Sequence, residues 1–180
     1  LYKKYTADDI KDIHLLENLK TALEAITPAD FTRYQKLLDL LKSKEYAWNP
    51  ADSGDRVVIF TERIETMKYL AERLRQDLGL KANAIQEISG GMSDAEQQRI
   101  VEDFGRTESS VRVLVASDVA SEGLNLHYLS HRLIHFDIPW SLMVFQQRNG
   151  RIDRYGQQKR PDIRYMLIES DNKRIKGDMR

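Results

Sequence analysis

Three arginines stand three residues apart in the run Gln146-Gln147-Arg148-Asn149-Gly150-Arg151-Ile152-Asp153-Arg154-Tyr155-Gly156-Gln157. A guanidinium is planar, permanently charged and shaped to grip phosphate oxygens through two hydrogen bonds. Residues three apart on a helix lie on neighbouring parts of one face, so Arg148, Arg151 and Arg154 read as a short cationic ridge. Gly150 interrupts an otherwise helix-friendly run, where glycine costs ~1 kcal/mol relative to alanine. A bulky group or a second backbone approaching that turn would account for it. The pattern fits a phosphate clamp. Spacing alone fits at least as well a solvated helix face on which Asp153 pairs a neighbour.

Other segments carry chemistry only in combination. Ala116-Ser117-Asp118-Val119-Ala120-Ser121-Glu122-Gly123-Leu124-Asn125-Leu126 follows an apolar run. Its small residues and Gly123 allow a ligand close to the backbone, and Asp118 falls where a strand ends; a tight polar loop capped by Asp118 is the alternative. Ser89-Gly90-Gly91-Met92-Ser93 lies between a strand and a helix, so its amides could meet a phosphate at the positive helix end. Those glycines do not form the dinucleotide fingerprint. Thr61 closes the apolar run Val57–Phe60 and suits a helix N-cap. Arg99 falls on the outer side of the next helix, either solvated or against a nucleic-acid backbone. His127, His131 and His135 recur every fourth residue, a zinc-binding spacing on one helix face. Here they pass from loop to strand, which destroys that register, and no metal is expected. No Ser/His/Asp or Cys/His set is present.

The elements that must position these residues are legible in the apolar pattern. Short apolar runs at 57–60, 84–88, 111–115, 132–136 and 163–168 alternate with helical stripes. Ile64, Met67, Leu70, Leu74 and Leu78 form one such stripe, and the capping box Ser93-Asp94-Ala95-Glu96 opens another. Ser141 caps the helix bearing the arginines. Repeated strand-helix-strand units imply right-handed crossovers and an α/β fold with a doubly wound parallel sheet. Ligands of such sheets lie beyond the carboxyl ends of the strands. Residues 1–50 read as a helical lead-in, with Leu15, Leu16, Leu19, Leu23 and Ile26 on one helix and Phe31, Tyr34, Leu37, Leu38 and Leu41 on another. Their apolar faces require a partner surface, here or in a missing domain. Trp48 to Asp55 is a turn-rich linker, 56–170 the α/β domain, and 171–180 a basic tail.

With 180 residues the chain can bury a genuine core. Lys plus Arg and Asp plus Glu number 28 each, so no overall field draws it to nucleic acid or membrane; any nucleic-acid contact comes from a local patch. The absence of cysteine excludes disulfides and thiolate metal sites and fits a reducing cytoplasm. No apolar run approaches the ~20 residues of a membrane span. The chain opens without methionine and reads as a piece of something longer.

Gln147-Arg148-x-Gly150-Arg151-x-x-Arg154 resembles motif VI of superfamily-two helicases and translocases, and Arg154-Tyr155-Gly156-Gln157 resembles the ending typical of the Swi/Snf-type branch. Residues 117–125 resemble motif V, with the Glu-Gly-Leu-Asn form of that branch, and 56–62 resemble motif IV. The resemblance covers roughly 56–170 and is similar in flavour to bacterial RNA-polymerase-associated ATPases and restriction or defence motors. It implies a RecA-like C-terminal lobe of an ATP-dependent DNA translocase. Arg151 and Arg154 would reach the γ-phosphate of ATP across an interdomain cleft. Gln147, Arg148, Gly150, Gly123 and Asn125 would line the nucleotide site, with Asn125 near the ribose. Thr61, Gly90, Gly91, Arg99, Ser117 and Asp118 would follow the nucleic-acid track, and Trp140 after Pro139 would be packing. Glu122 stands where many RNA helicases have arginine, which argues against their RNA-specific contacts. No Walker lysine loop or acidic box occurs, so Mg²⁺ and the triphosphate would be held by an N-terminal lobe, this chain alone being inactive. Expected partners are that lobe, DNA in duplex form, and RNA polymerase or restriction subunits. The competing readings are an RNA helicase lobe and a non-catalytic RecA-like module that binds nucleic acid or protein.

Overall fold

A computed structural model describes residues 7–117, 126–128 and 130–169. Helix α1 (Ala7–Glu24) and a 3₁₀ turn (Pro28–Asp30) lead to α2 (Thr32–Lys42). The α/β part then runs β1 (Arg56–Thr61), α3 (Ile64–Asp77), β2 (Ile85–Ile88), α4 (Asp94–Phe104), β3 (Val113–Ser117), β4 (Ser130–His135), α5 (Leu142–Asn149) and β5 (Asp162–Tyr165). The strands form one sheet in the order β2-β3-β1-β4-β5, and every neighbouring pair is parallel. This is the expected doubly wound arrangement, because strands buried on both faces read as unbroken apolar runs.

Alternation along each strand divides the core in two. Val57, Ile59, Val113, Val115, Ile134 and Phe136 face α2 and α3, where Tyr34, Leu37, Leu41, Met67, Leu70 and Leu74 meet them. Val58, Phe60, Leu114, Ala116 and Leu133 face Phe104 of α4 and Ile152 on the other side. Burying one such Leu or Ile contributes about 1.5–3 kcal/mol.

The lead-in divides at Pro28. α2 belongs to the core: Tyr34 donates its hydroxyl to Asp77 Oδ2 at 2.5 Å, and Leu37 and Leu41 are buried. The turn-rich linker packs as well. Tyr46 and Trp48 are buried, and the Trp48 indole donates to the Asp55 carbonyl at 2.9 Å. Arg132 reaches across from β4, donating to Asp55 Oδ1 at 2.7 Å and to the Tyr46 carbonyl at 2.6 Å. A boundary near residue 50 is therefore no break in the packing. α1 behaves differently: Leu15, Leu16, Leu19 and Leu23 are all more than half exposed. The surface that its apolar residues require is not supplied by the described chain. No described helix is long and apolar enough to cross a membrane.

Candidate nucleotide and nucleic-acid interface

At the carboxyl edge of the sheet β1 and β4 end side by side, Phe60 pairing with His135. Asp137, just past β4, is the hub there. Its carboxylate accepts the Thr61 hydroxyl at 2.5 Å and the Glu62 amide at 2.9 and 3.0 Å. Arg148 approaches from α5, donating through Nη1 to the Asp137 carbonyl at 2.9 Å and through Nη2 to Asp137 Oδ1 at 3.5 Å. Its guanidinium carbon lies 5.6 Å from the centre of the Phe60 ring. These bonds tie the end of the motif IV strand to the motif VI helix.

His135 completes the cluster. Arg148 Nη1 stands 3.3 Å from His135 Nδ1, and His135 Nε2 stands 2.8 Å from Asn149 Oδ1. A guanidinium can only donate, so Nδ1 accepts and Nε2 carries the proton toward Asn149. The ring stacks on Phe145 at 4.6 Å. Burial, chiefly, and the adjacent Arg148 charge push its pKa down to about 4, against the opposing pull of the Asn149 bond and the Asp137 carboxylate. The imidazole is neutral at physiological pH.

Several expected site residues stand elsewhere than the pattern implied. Arg148 is completely buried and occupied by Asp137 and His135. It forms no ridge with Arg151 and Arg154, and its placement leaves no surface for a nucleotide. The ridge fails because α5 stops at Asn149, so only Arg148 of the three is helical. Gly150 is the C-cap at φ −62°, not a helix interior. A Cβ there would lie 3.5 Å from the Gln146 carbonyl oxygen and 3.6 Å from that of Gln147, which are ordinary contacts, so no close approach within the described residues demands glycine. Thr61 is likewise fully buried, and its hydroxyl is spent on Asp137; the expected phosphodiester contact is corrected to an internal latch. Ser117, in register with Thr61, is buried too, so its side chain meets no surface. Trp140, expected to pack, is fully exposed at the entry to α5.

Other expected residues are at the surface. Gln147, Gly90, Gly91, Arg99 and Arg154 are exposed and Arg151 is half-buried. Beside Gly90 and Gly91 the capping box of α4 is complete, with Glu96 accepting from the Ser93 amide at 2.9 Å and from its hydroxyl at 2.8 Å. That carboxylate already complements the positive helix end at its first turn. Asp118, Gly123 and Asn125 of motif V lie outside the described residues. Immediately after them, the Leu126 amide donates to the Arg151 carbonyl at 3.2 Å, which sets the end of motif V against motif VI. Asp137 gave no chemical signal in the sequence beyond an acid after a strand, and Gln157 entered only as the last residue of the Swi/Snf-type ending.

The parallel sheet, with motifs IV and VI joined at its carboxyl edge, defines a RecA-like lobe. The helicase conserved C-terminal domain model matches residues 32–156, and the chain belongs to that family, as a superfamily-two lobe of Swi/Snf type. The match begins at Thr32, the first residue of α2. The RNA polymerase-associated protein RapA of Vibrio campbellii is 30% identical over 144 residues, which cover 80% of this chain and 14% of that protein. RapA of Vibrio vulnificus is 31% identical over 119 residues, covering 66% of this chain and 12% of the relative. The chain thus spans a small part of the curated relatives it matches. Among solved structures, the C-terminal part of the Fun30 ATPase domain superposes with TM-score 0.62 at 20% identity, covering 87% of this chain and 49% of that one. Domain 2 of the DEAD-box helicase Mss116p, bound to an RNA duplex, superposes with TM-score 0.59 at 19% identity, covering 74% and 50%. At such identities these two likenesses speak for the fold alone.

Proposed function

We propose that this lobe is the C-terminal half of an ATP-dependent DNA translocase, in which Arg151 and Arg154 act as arginine fingers on ATP held by an N-terminal lobe. The observation that carries the reading is the division of labour within motif VI. Arg148 is buried as an anchor, whereas Arg151 and Arg154 leave the helix in a segment bonded through the Arg151 carbonyl to the end of motif V. One arginine fixes the segment, and of the two that follow Arg154 is exposed and Arg151 half-buried. ATP with Mg²⁺ on the opposing lobe would draw the two lobes together, and hydrolysis would release them. The fingers would stabilise charge developing on the transferring phosphoryl group. Gly90 and Gly91 just before α4, with Arg99 within it, would supply the local backbone track that a chain without net charge requires. The RapA relatives bear a name that links them to RNA polymerase, and we extend that partner to this chain on the same footing. Glu122 in place of the arginine of RNA helicases favours DNA as the track.

The test is the ATPase of the full-length protein with and without duplex DNA. Arg151→Ala and Arg154→Ala are expected to lower turnover by on the order of 10³-fold, the scale of arginine fingers in other P-loop NTPases, with the melting temperature retained. Near-normal turnover in both variants overturns the assignment.

A further inference from the structure

The segment carrying Arg151 and Arg154 has no regular secondary structure, so something other than a helix must hold it. Gln157 does so. Its side-chain Nε2 lies 3.1 Å from the His127 carbonyl oxygen, 2.9 Å from that of Ser130 and 3.1 Å from that of Ile152. Its Oε1 accepts the Lys159 amide at 3.2 Å. Three carbonyls around one nitrogen and an amide at the oxygen leave a single sense for the side chain, and its two N–H bonds are shared among three acceptors. The three carbonyls come from three places: the chain just after motif V, the first residue of β4, and the middle of motif VI. The backbone amide of Gln157 also donates to the Arg154 carbonyl at 3.0 Å. Gly156, at φ +95°, lies in the left-handed region and turns the chain so that Gln157 points back beneath the arginines; residues with a Cβ rarely adopt that conformation.

We infer that Gln157 is a positioning residue which sets where Arg151 and Arg154 stand by clamping motif VI to β4 and to the end of motif V. Ile152, directly after Arg151, is buried in the core, and Gln157 holds its carbonyl. Leu126 holds the carbonyl of Arg151 and Gln157 that of Arg154. Arg151 is thereby fixed on the backbone side by Leu126, in the loop before β4 whose His127 carbonyl Gln157 grips, and Arg154 by Gln157 itself. This deepens the proposed function and rests on the finger reading.

The test is a cycle of variants in the full-length protein. Gln157→Ala is expected to lower kcat for ATP by on the order of tenfold to a hundredfold, the scale of an ångström misplacement at a reacting centre. KM for ATP should stay within about twofold, because the contact displaced is one made in the transition state. Gln157→Glu, which sets a carboxylate against three carbonyls, should be at least as damaging, and Gln157→Asn should restore little because its amide falls one methylene short. In the Arg151→Lys/Arg154→Lys background, chosen to keep measurable turnover, Gln157→Ala should have an effect several-fold smaller than in the wild type. Equal losses in both backgrounds, or a lowered melting temperature with kcat intact, overturn the positioning role. Full turnover in the Arg151→Ala and Arg154→Ala variants would instead defeat the finger reading, and with it the clamp's purpose.

Discussion

Arg148, at the residue scale, shows why charge spacing misleads. A guanidinium can be buried only if its donors are met, and here Asp137 and His135 meet them while Phe60 receives the flat face. Asp137→Ala would remove the carboxylate beside that cation, leaving it the backbone carbonyl and His135, and would also free Thr61 and the Glu62 amide. Loss of one partner of a buried pair costs about 3–5 kcal/mol, and urea denaturation of the 180-residue chain should show that loss. Thr61→Val removes one hydroxyl and should cost about 1 kcal/mol. His135 adds a pH dependence of defined sign. Its folded pKa of about 4 lies below the ordinary 6.5, so the unfolded chain binds the extra proton first. The contribution is complete above pH 6.5 and is lost as pH falls through that window toward 4. Denaturation midpoints taken from pH 7 to pH 4 should fall, and His135→Gln should flatten that part of the curve. None of this cluster was legible in the sequence, because an inward arginine and an outward one have the same letter and the same spacing. What decides between them is the end of α5 at Asn149, one residue before a glycine that merely caps the helix.

Elements were easier to read, for a physical reason. A strand buried on both faces must be largely apolar, and Val57–Phe60, Val113–Val115 and Leu133–Ile134 announce themselves by that demand. The capping box Ser93–Glu96 announced α4 in the same way, since side-chain caps are local. Packing between distant elements left no such mark. The apolar residues of α1 are spread around the helix whereas those of α2 gather on one face, and the leucines of the first are exposed while Leu37 and Leu41 of the second are buried. The two helices should answer differently to the same substitution. Leu37→Ala empties a site in the main core and should cost about 2–5 kcal/mol. Leu19→Ala on α1 should change the stability of this chain by less than about 0.5 kcal/mol, as at a surface position. Thermal melting of both variants checks the contrast; a large loss for Leu19→Ala would mean that α1 packs on the lobe after all. The stretch from Trp48 to Asp55 is turn-rich as expected, but its packing was not legible for a related reason. Its aspartate is held by Arg132 from β4, a partner 77 residues away, and its tryptophan donates to the carbonyl of that aspartate.

For the whole molecule the governing facts are an even charge balance and a chemistry that is incomplete within these residues. Equal numbers of cationic and anionic side chains give the lobe no general attraction for a polyanion, so the proposed grip on DNA calls for a local cluster of cations, and its dependence on salt should report how many phosphates that cluster neutralises. No segment of the sequence supplies the lysine loop or the acid that P-loop motors use to hold phosphate and Mg²⁺. Fingers without a nucleotide to act on stabilise nothing, because transition-state stabilisation requires the reacting group to be bound opposite them. The isolated 180-residue chain should therefore fold and melt cooperatively yet show no ATP turnover above background, with or without duplex DNA. The full-length protein should turn over ATP, faster with DNA. Its Arg151→Ala form should resemble the isolated chain in turnover while still binding ATP with an affinity near that of the wild type. Measured side by side, hydrolysis by the isolated chain would place the catalytic centre within it, and loss of ATP binding in Arg151→Ala would make that arginine a ground-state ligand rather than a finger.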